Sequence, residues 1–219
     1  MLSMPRIVDA DQRRAELTVI TAREIARVGL ERVTLRDIAR AGGWSTGIVS
    51  HYFVDKRALL TATFRSRAAI AGRTAAALIE AGATPLGSFV EAVLPLDDER
   101  LLNWQVWLAF WGTAVGDPEL SEAQRQRHDH FQHDLERALR VEQEHGRLAP
   151  GRDLAHEARR LITVLDGVAV QVVFEPRAWP PAEQRRIVDE HLRGLRTEAT
   201  SPRRPRAARP AATAARARR

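Results

Sequence analysis

The segment between residues 29 and 56 constrains the fold more than any other, because residues that end and begin helices follow one another within a few positions. Glycine tolerates the left-handed backbone that ends a helix, and Ser, Thr or Asp accepts the first free amide protons of the next helix. The residues that fit these roles are, in chain order, Gly29, Thr34, Gly42, Gly43, Ser45 and Asp55. The spacing predicts two short helices between two longer ones.

The rest of the chain also has helical periodicity. Apolar residues recur at intervals of three and four from Ala15 to Val28, and Leu35 and Ile38 form the buried side of the following helix. No alternating run of β-branched residues occurs in the sequence. We therefore predict an all-α protein, with an N-terminal three-helix domain that contains a helix-turn-helix and a larger helical domain.

Composition divides the chain into an N-terminal arm at residues 1–10, a helix-turn-helix domain at 11–55, a larger domain at 56–198 and a tail at 199–219. The net charge is +6, with a mildly basic head, a mildly acidic body and seven Arg near the C-terminus. The tail lacks the large apolar side chains that would offset its ordering entropy, so we expect it to be disordered. Its arginines indicate either added affinity for phosphates or a coding bias.

Several classes of protein and site are excluded or disfavoured. The chain has no Cys, which rules out disulfides, thiolate zinc sites and thiol catalysis. No apolar run is long enough to span a bilayer, and the N-terminus lacks the apolar core of a signal peptide. We expect a cytoplasmic protein without membrane contact.

The third helix is expected to show a small, polar outer face. Ile48, Val49 and Phe53 are predicted to anchor it to the core, and the outward residues are Ser45, Thr46, Gly47, Ser50 and His51. In a helix-turn-helix the second helix of the pair enters the major groove of DNA, which requires small side chains that form hydrogen bonds. The alternative interpretation is a helical bundle with a polar corner.

The stretch GLERVTLRDIARAGGWSTGIVSHYFVDKRALL resembles the DNA-binding region of TetR-family transcriptional regulators. Within that family its sequence is most similar to the BetI-type, choline-responsive repressors. The segments WQVWLAFWGTAVGDPEL and LITVLDGVAVQVVF resemble the regulatory domain of that subgroup more loosely. The resemblance implies a homodimer on two operator half-sites and assigns ligand binding and dimerisation to residues 56–198. The chain departs from most relatives at Trp44, where they have Val.

The resemblance also assigns DNA contacts residue by residue. Tyr52 and Lys56 match the phosphate-contacting pair, and Thr34 and Arg36 match positions that reach the DNA backbone and sometimes a base. We expect the remaining contacts, mostly to base edges, from Ser45, Thr46, Gly47, Ser50 and His51.

Some residues of this region keep two interpretations. Trp44 either fills the gap between helices or leans against the DNA backbone. Arg13 and Arg14 either meet phosphates or are ordinary surface, and His51 is otherwise an exposed surface histidine.

An aromatic stripe in the larger domain is our candidate ligand site. Trp104, Trp107 and Trp111 fall on one helix face, and core packing is the alternative explanation for them. Indole rings attract quaternary ammonium and protonated amine ligands, although an uncharged ligand fits nearly as well. The full candidate set is Phe89, Trp104, Trp107, Phe110, Trp111, Phe131 and Asp166. The alternatives to a position in the ligand site for Asp166 are the interface between subunits and a hydrogen bond at a helix end.

Residues 153–175 become apolar nearly all round from Leu161 onward, which indicates burial on more than one side. With a last helix at about 181–197, they predict a four-helix interface across a two-fold axis, where Gly167 permits close crossing; internal packing is the alternative. The expected interface residues are Leu161, Leu165, Val168, Val172, Ile187 and Leu195.

No catalytic, cofactor or metal site is predicted. His128, His130 and His133 lie in a polar helix, but only His130 and His133 share a face, without a clear third ligand. We interpret that face as solvated.

The combined prediction is a repressor that is not an enzyme. Its expected partners are a palindromic double-stranded DNA operator, a second copy of the chain and a small-molecule effector. The alternative is a constitutive DNA-binding regulator or activator without an inducer.

Overall fold

The computed structural model describes residues 10–196, which form nine α-helices and no strand. The helices are α1 (Ala10–Val28), α2 (Leu35–Ala41), α3 (Thr46–Tyr52), α4 (Lys56–Glu80), α5 (Pro85–Val93), α6 (Asp98–Ala114), α7 (Pro118–Glu144), α8 (Leu154–Phe174) and α9 (Pro181–Arg193). The prediction of an all-α protein is confirmed. The expected N-terminal arm and the Arg-rich tail fall mostly or wholly outside the described residues.

The helix boundaries in the first 60 residues follow the predicted caps. The Thr34 side chain accepts the amide proton of Asp37 and completes a capping box, while Ser45 and Asp55 cap α3 and α4. Gly29 ends α1 with a φ of 85°. Local hydrogen bonds therefore set these ends. The last helix is shorter than expected, because α9 stops at Arg193.

Two hydrophobic cores divide the fold, and α4 and α6 contribute to both. Leu59 of α4 and Val106 of α6 pack in the head core with α1, α2 and α3. Farther along the same helices, Phe64 and Phe110 belong to the body core, where their rings stack with centroids 3.9 Å apart. Two continuous helices thus connect the head to the body.

The body core contains the apolar residues that we expected at a dimer interface. Leu161 and Leu165 are 0% exposed within the single chain. Val168, Val172 and Leu195 are also buried, and Ile187 is half-buried against the same core. The contacts of these side chains are intramolecular, because α6, α7 and α9 all pack on α8 and cover its apolar sides. The expectation that the five buried side chains face a partner is therefore corrected, whereas burial leaves Ile187 undecided.

The buried guanidinium of Arg67 links α4 to α6, the two helices that connect the head to the body. Arg67 of α4 is 1% exposed, and its guanidinium donates to the carboxylate of Glu99 and, at 3.2 Å, to the side-chain oxygen of Asn103, both on α6. A buried guanidinium needs these partners to offset the hydration that it loses on folding.

Candidate functional site

The short helix α3 stands on the surface with its polar residues outward. Val49 is 0% exposed and Phe53 4%, so these two residues hold the helix to the head core. The residues expected to meet DNA are exposed, namely Ser45, Thr46, Gly47, Ser50 and His51. The expectation for Ile48 was wrong, because its side chain is 39% exposed. Val49 and Phe53 lie four residues apart on one face, and Ile48 points about 100° away from that face.

Trp44 fills the turn between α2 and α3. Its ring lies on Gly42 so closely that a Cβ atom at Gly42 would be 2.5 Å from ring atom Cε3. The guanidinium of Arg13 covers the ring at 4.7 Å from the centroid. Gly43 completes the turn with a φ of 69°. These contacts favour the packing role for Trp44.

Arg14 ties α3 to α1, a role that the sequence did not indicate. Its Nη2 donates to the backbone carbonyl of Tyr52 at 2.6 Å, and its guanidinium lies 5.0 Å from the ring centroid of Phe53. A cation at the C-terminal end of a helix is stabilised by the free carbonyls there. The two residues are 38 positions apart, so no local pattern could reveal the contact.

The residues expected beside the DNA backbone surround α3. Lys56 Nζ donates to the carbonyl of Glu31 at 3.1 Å, so a phosphate would have to share or replace that bond. The Thr34 hydroxyl donates to Asp37 at 2.5 Å and lowers the pKa of that carboxyl. Arg36 is exposed, and Tyr52 is half-buried with its ring edge-to-face against His51 at 5.0 Å.

A cavity of about 590 Å³ lies in the body between α4, α5 and α7. Apart from Ile79, the α4 wall is made of small residues, Ala68, Ala69, Ala71, Gly72, Ala75 and Ala76. Because these side chains are short, they leave space open where α4 faces α5 and α7. Phe89 and Phe131 line the opposite wall with ring centroids 4.7 Å apart. The volume is in the range of small-molecule sites.

The other five expected ligand residues do not line this cavity. Trp104 packs edge-to-face against Trp107 and Trp111, which confirms that the three rings share a face. That face points into the body core, however, and Trp104 Nε1 donates to the Val93 carbonyl at 2.7 Å. Phe110 stacks on Phe64 in the same core, and Asp166 lies on α8, which contributes no residue to the cavity lining. The four aromatic residues therefore have the packing role that was the alternative for them, whereas Asp166 keeps its alternatives of the interface between subunits or a helix end.

Arg127 of α7 was missed by the sequence analysis and lines the cavity. Its guanidinium lies 3.7 Å from the ring centroid of Trp107 and 5.7 Å from those of Phe64 and Phe131. Burial lowers the pKa of Arg127 to about 10, opposed by the charge of Asp166. Burial likewise raises the pKa of Asp166 to about 6, opposed by His128 and Arg127.

The described residues offer neither a membrane-spanning helix nor a metal centre. None of the helices in residues 10–196 is long and apolar enough to cross a bilayer. Within that range no group of three His, Asp or Glu side chains is placed to hold a metal ion.

Comparison with known proteins gives matches over both parts of the chain. Residues 18–63 match the family of bacterial regulatory proteins of the TetR type, and residues 83–197 match the C-terminal domain of BetI-type transcriptional repressors. The chain is 29% identical over 199 residues to the HTH-type transcriptional regulator BetI 2 of Chromohalobacter salexigens, covering 89% of this chain and 93% of the relative.

Solved structures share the fold. A transcriptional regulator from Saccharomonospora viridis, solved in complex with choline, superposes with a TM-score of 0.78 at 23% identity, covering 86% of this chain and 100% of that one. A regulator from Rhodococcus sp. Rha1 superposes with a TM-score of 0.72 at 23% identity, covering 83% and 95%.

The two family matches together span the helix-turn-helix head and the helical body, and the second alone spans more than half of the chain. This chain therefore belongs to the TetR family, and it is a transcriptional regulator of the BetI type rather than an enzyme.

Proposed function

We propose that this regulator is a repressor that binds a palindromic operator as a homodimer and leaves it when a small molecule occupies the body cavity. The observation that carries the proposal is the exposed polar face of α3, from Ser45 to His51, held on the buried anchors Val49 and Phe53. A major groove about 12 Å wide admits such a helix, and the small side chains of Thr46 and Ser50, with Gly47 between them, let it approach the base edges.

In this proposal Thr46, Ser50 and His51 contact base edges, and Gly47 lets the backbone of α3 come close to the DNA. Thr34, Arg36, Ser45, Tyr52 and Lys56 position the head on the phosphates. Such phosphate contacts fix register and orientation, whereas base contacts carry the sequence preference.

The path from effector to DNA runs along α4. This helix supplies Leu59 to the head core and, from Ala68 onward, one wall of the cavity. The start of α4 is also held to the body by Arg57, which forms ion pairs with Asp117 at 2.9 Å and Glu119 at 2.8 Å. A molecule that displaces α4 would thus move the heads from the spacing of about 34–36 Å that successive major grooves require.

We place the dimer interface on the outer face of α8. Its exposed residues include Thr163, Gly167, Gln171 and Phe174, which recur at intervals of three and four on one side of the helix. Phe174 is 75% exposed, and nothing lies within 4 Å of a Cβ atom built on Gly167. This face leaves room for the α8 helix of a second copy to approach closely.

The operator is tested first by selecting bound genomic fragments with the full-length protein and deriving the shared sequence. We expect a palindrome, bound more tightly than random DNA in fluorescence anisotropy titrations. Replacing His51 by alanine should weaken operator binding about tenfold, because one base contact contributes roughly 1–3 kcal/mol. Affinity for random DNA should change little.

The matched control is His133→Ala, since His133 is an exposed histidine on α7, away from α3. This variant should bind the operator like the unchanged protein. If the protein prefers no palindrome over random DNA, the repressor proposal fails. If it binds a palindrome but no small molecule relieves binding, the constitutive alternative replaces the ligand-responsive one.

The dimer is tested by replacing Phe174 with aspartate. A charge placed in an apolar contact between helices should raise the dimer dissociation constant at least tenfold, measured by analytical ultracentrifugation. Val115→Asp makes the same kind of change at a side chain that is 88% exposed, beside the loop after α6, and should leave the dimer intact. Equal behaviour of the two variants would rule out this face of α8.

A further inference from the structure

The polar groups around the cavity leave one cation without a partner. The lining contains four titratable side chains, Arg127, His130, Asp134 and Arg137. Asp134 and Arg137 pair with each other at 2.8 Å, and His130 Nδ1 donates to the Gln126 carbonyl at 2.6 Å. Within residues 10–196, Arg127 forms no hydrogen bond or ion pair, and its buried Nε lacks an acceptor.

Among residues 10–196, Asp166 is the one carboxylate whose charge affects the pKa of Arg127. The Asp166 carboxylate is not close enough to the Arg127 guanidinium to neutralise its charge in an ion pair. No ion pair within 4 Å joins the two side chains, and Asp166 does not line the cavity. The raised pKa of Asp166, about 6, also means that its charge is lost in mildly acidic conditions. The guanidinium therefore remains a charged donor group whose environment is mostly aromatic rings.

Three aromatic rings beside the cavity already contact a cation of the protein itself. The guanidinium of Arg127 lies 3.7 Å from the Trp107 centroid and is within 5.7 Å of two phenylalanine centroids, Phe64 and Phe131. This is the geometry in which aromatic rings stabilise a cation. A quaternary ammonium ligand would have to displace Arg127 or lie beside its positive charge, with no unpaired carboxylate in the cavity lining to compensate.

We infer that the cavity binds a small molecule with an apolar body and an anionic head group, a carboxylate in the simplest case, with Arg127 as the residue that recognises the head group. A carboxylate would give Arg127 the acceptor it lacks, and the planar guanidinium suits two parallel hydrogen bonds to it. The apolar body would lie against the small residues of α4, Phe89 and Phe131. The inference rests on the proposed role of this cavity as the effector site.

The test compares head groups on one hydrocarbon chain. Octanoate, octanamide and octyltrimethylammonium, together with choline, are titrated into the full-length protein by isothermal titration calorimetry. We expect octanoate to bind at least tenfold more tightly than octanamide, in line with the contribution of a charged hydrogen bond. Octyltrimethylammonium and choline should bind no more tightly than octanamide.

Arg127→Met should remove the preference for octanoate, so that octanoate then binds no more tightly than octanamide. The control is Arg140→Met, because Arg140 is exposed on the same helix and outside the cavity. This variant should keep the preference of the unchanged protein. The comparison of head groups on the unchanged protein decides the question even if the Arg127 variant fails to fold.

The inference is overturned if octanoate shows no advantage over octanamide, including the case in which neither binds, or if an ammonium compound binds the unchanged protein more tightly. The calorimetry uses no DNA, so its result is independent of operator binding. If the protein binds its operator but does not prefer octanoate, only the inferred ligand class is wrong. If the protein binds octanoate but does not prefer a palindrome over random DNA, the proposed repressor function is wrong.

Discussion

Replacing Glu99 by alanine is expected to lower the free energy of unfolding by about 3 kcal/mol, because it leaves a buried guanidinium without its counter-ion. Arg67 is 1% exposed and the Glu99 side chain is 54% exposed, so water entering on the Glu99 side would replace only part of the lost interaction. Only the Asn103 side-chain oxygen would remain as an acceptor. The measurement is urea unfolding at one fixed protein concentration, since the proposed dimer would make stability depend on concentration.

Asp98→Ala is the matched control for this prediction. Asp98 and Glu99 both lie in the first turn of α6, where a carboxylate also interacts with the positive end of the helix. Losing that interaction alone should cost about 0.5 kcal/mol. In an Arg67→Met background, Glu99→Ala should cost no more than Asp98→Ala. An equal cost of Glu99→Ala in both backgrounds would show that the buried pair does not account for the effect.

Replacing Gly42 by alanine is expected to destabilise the head by about 2 kcal/mol, because the added methyl group overlaps the ring of Trp44. The backbone is no obstacle, since Gly42 has a φ of −86° and a ψ of −4°. The new Cβ atom would lie 2.5 Å from Cε3 and 2.6 Å from Cζ3 of the ring. Displacing the ring also shifts the turn before α3, so operator affinity should fall together with stability.

A double-mutant cycle with Trp44→Val isolates this clash. The smaller side chain makes room at Gly42, and the double variant should lose less stability than the two single variants added together. Gly112→Ala is the control for replacing glycine in a helix, because its new Cβ atom would meet nothing within 4 Å. That change should be neutral or stabilising by up to about 1 kcal/mol. Additive effects of Gly42→Ala and Trp44→Val would contradict the proposed overlap.

The recognition helix and its neighbours could be predicted from the sequence because short-range interactions set them. Thr34, Ser45 and Asp55 accept amide protons three residues further along the chain, and Gly29 adopts its own backbone conformation whatever surrounds it. The outward polarity of α3 followed from the same local pattern. The error at Ile48 arose because a seven-residue helix has too few apolar residues for its buried face to be assigned by spacing alone.

The cavity in the body could not be located from the sequence. Its position depends on a wall of small residues in α4 meeting Phe89 and Phe131 from two other helices. The three tryptophans of α6 gave a strong periodic signal, but periodicity identifies a shared face without saying what that face meets. Arg127 passed unnoticed in a polar helix, because its contacts with Trp107 and Phe131 depend on how α6 and α7 pack.

The sequence alone determined the helical class, the ends of the first helices and the polar face of α3, since these depend on backbone preferences and on hydrogen bonds between near neighbours. Only the tertiary structure decided which apolar faces are covered within one chain and where empty space remains. It turned Leu161 and Leu165 inward and brought Arg127 against the rings beside the cavity. Burial and charge pairing depend on contacts between segments that are far apart in the sequence, and the local sequence pattern carries no information about those contacts.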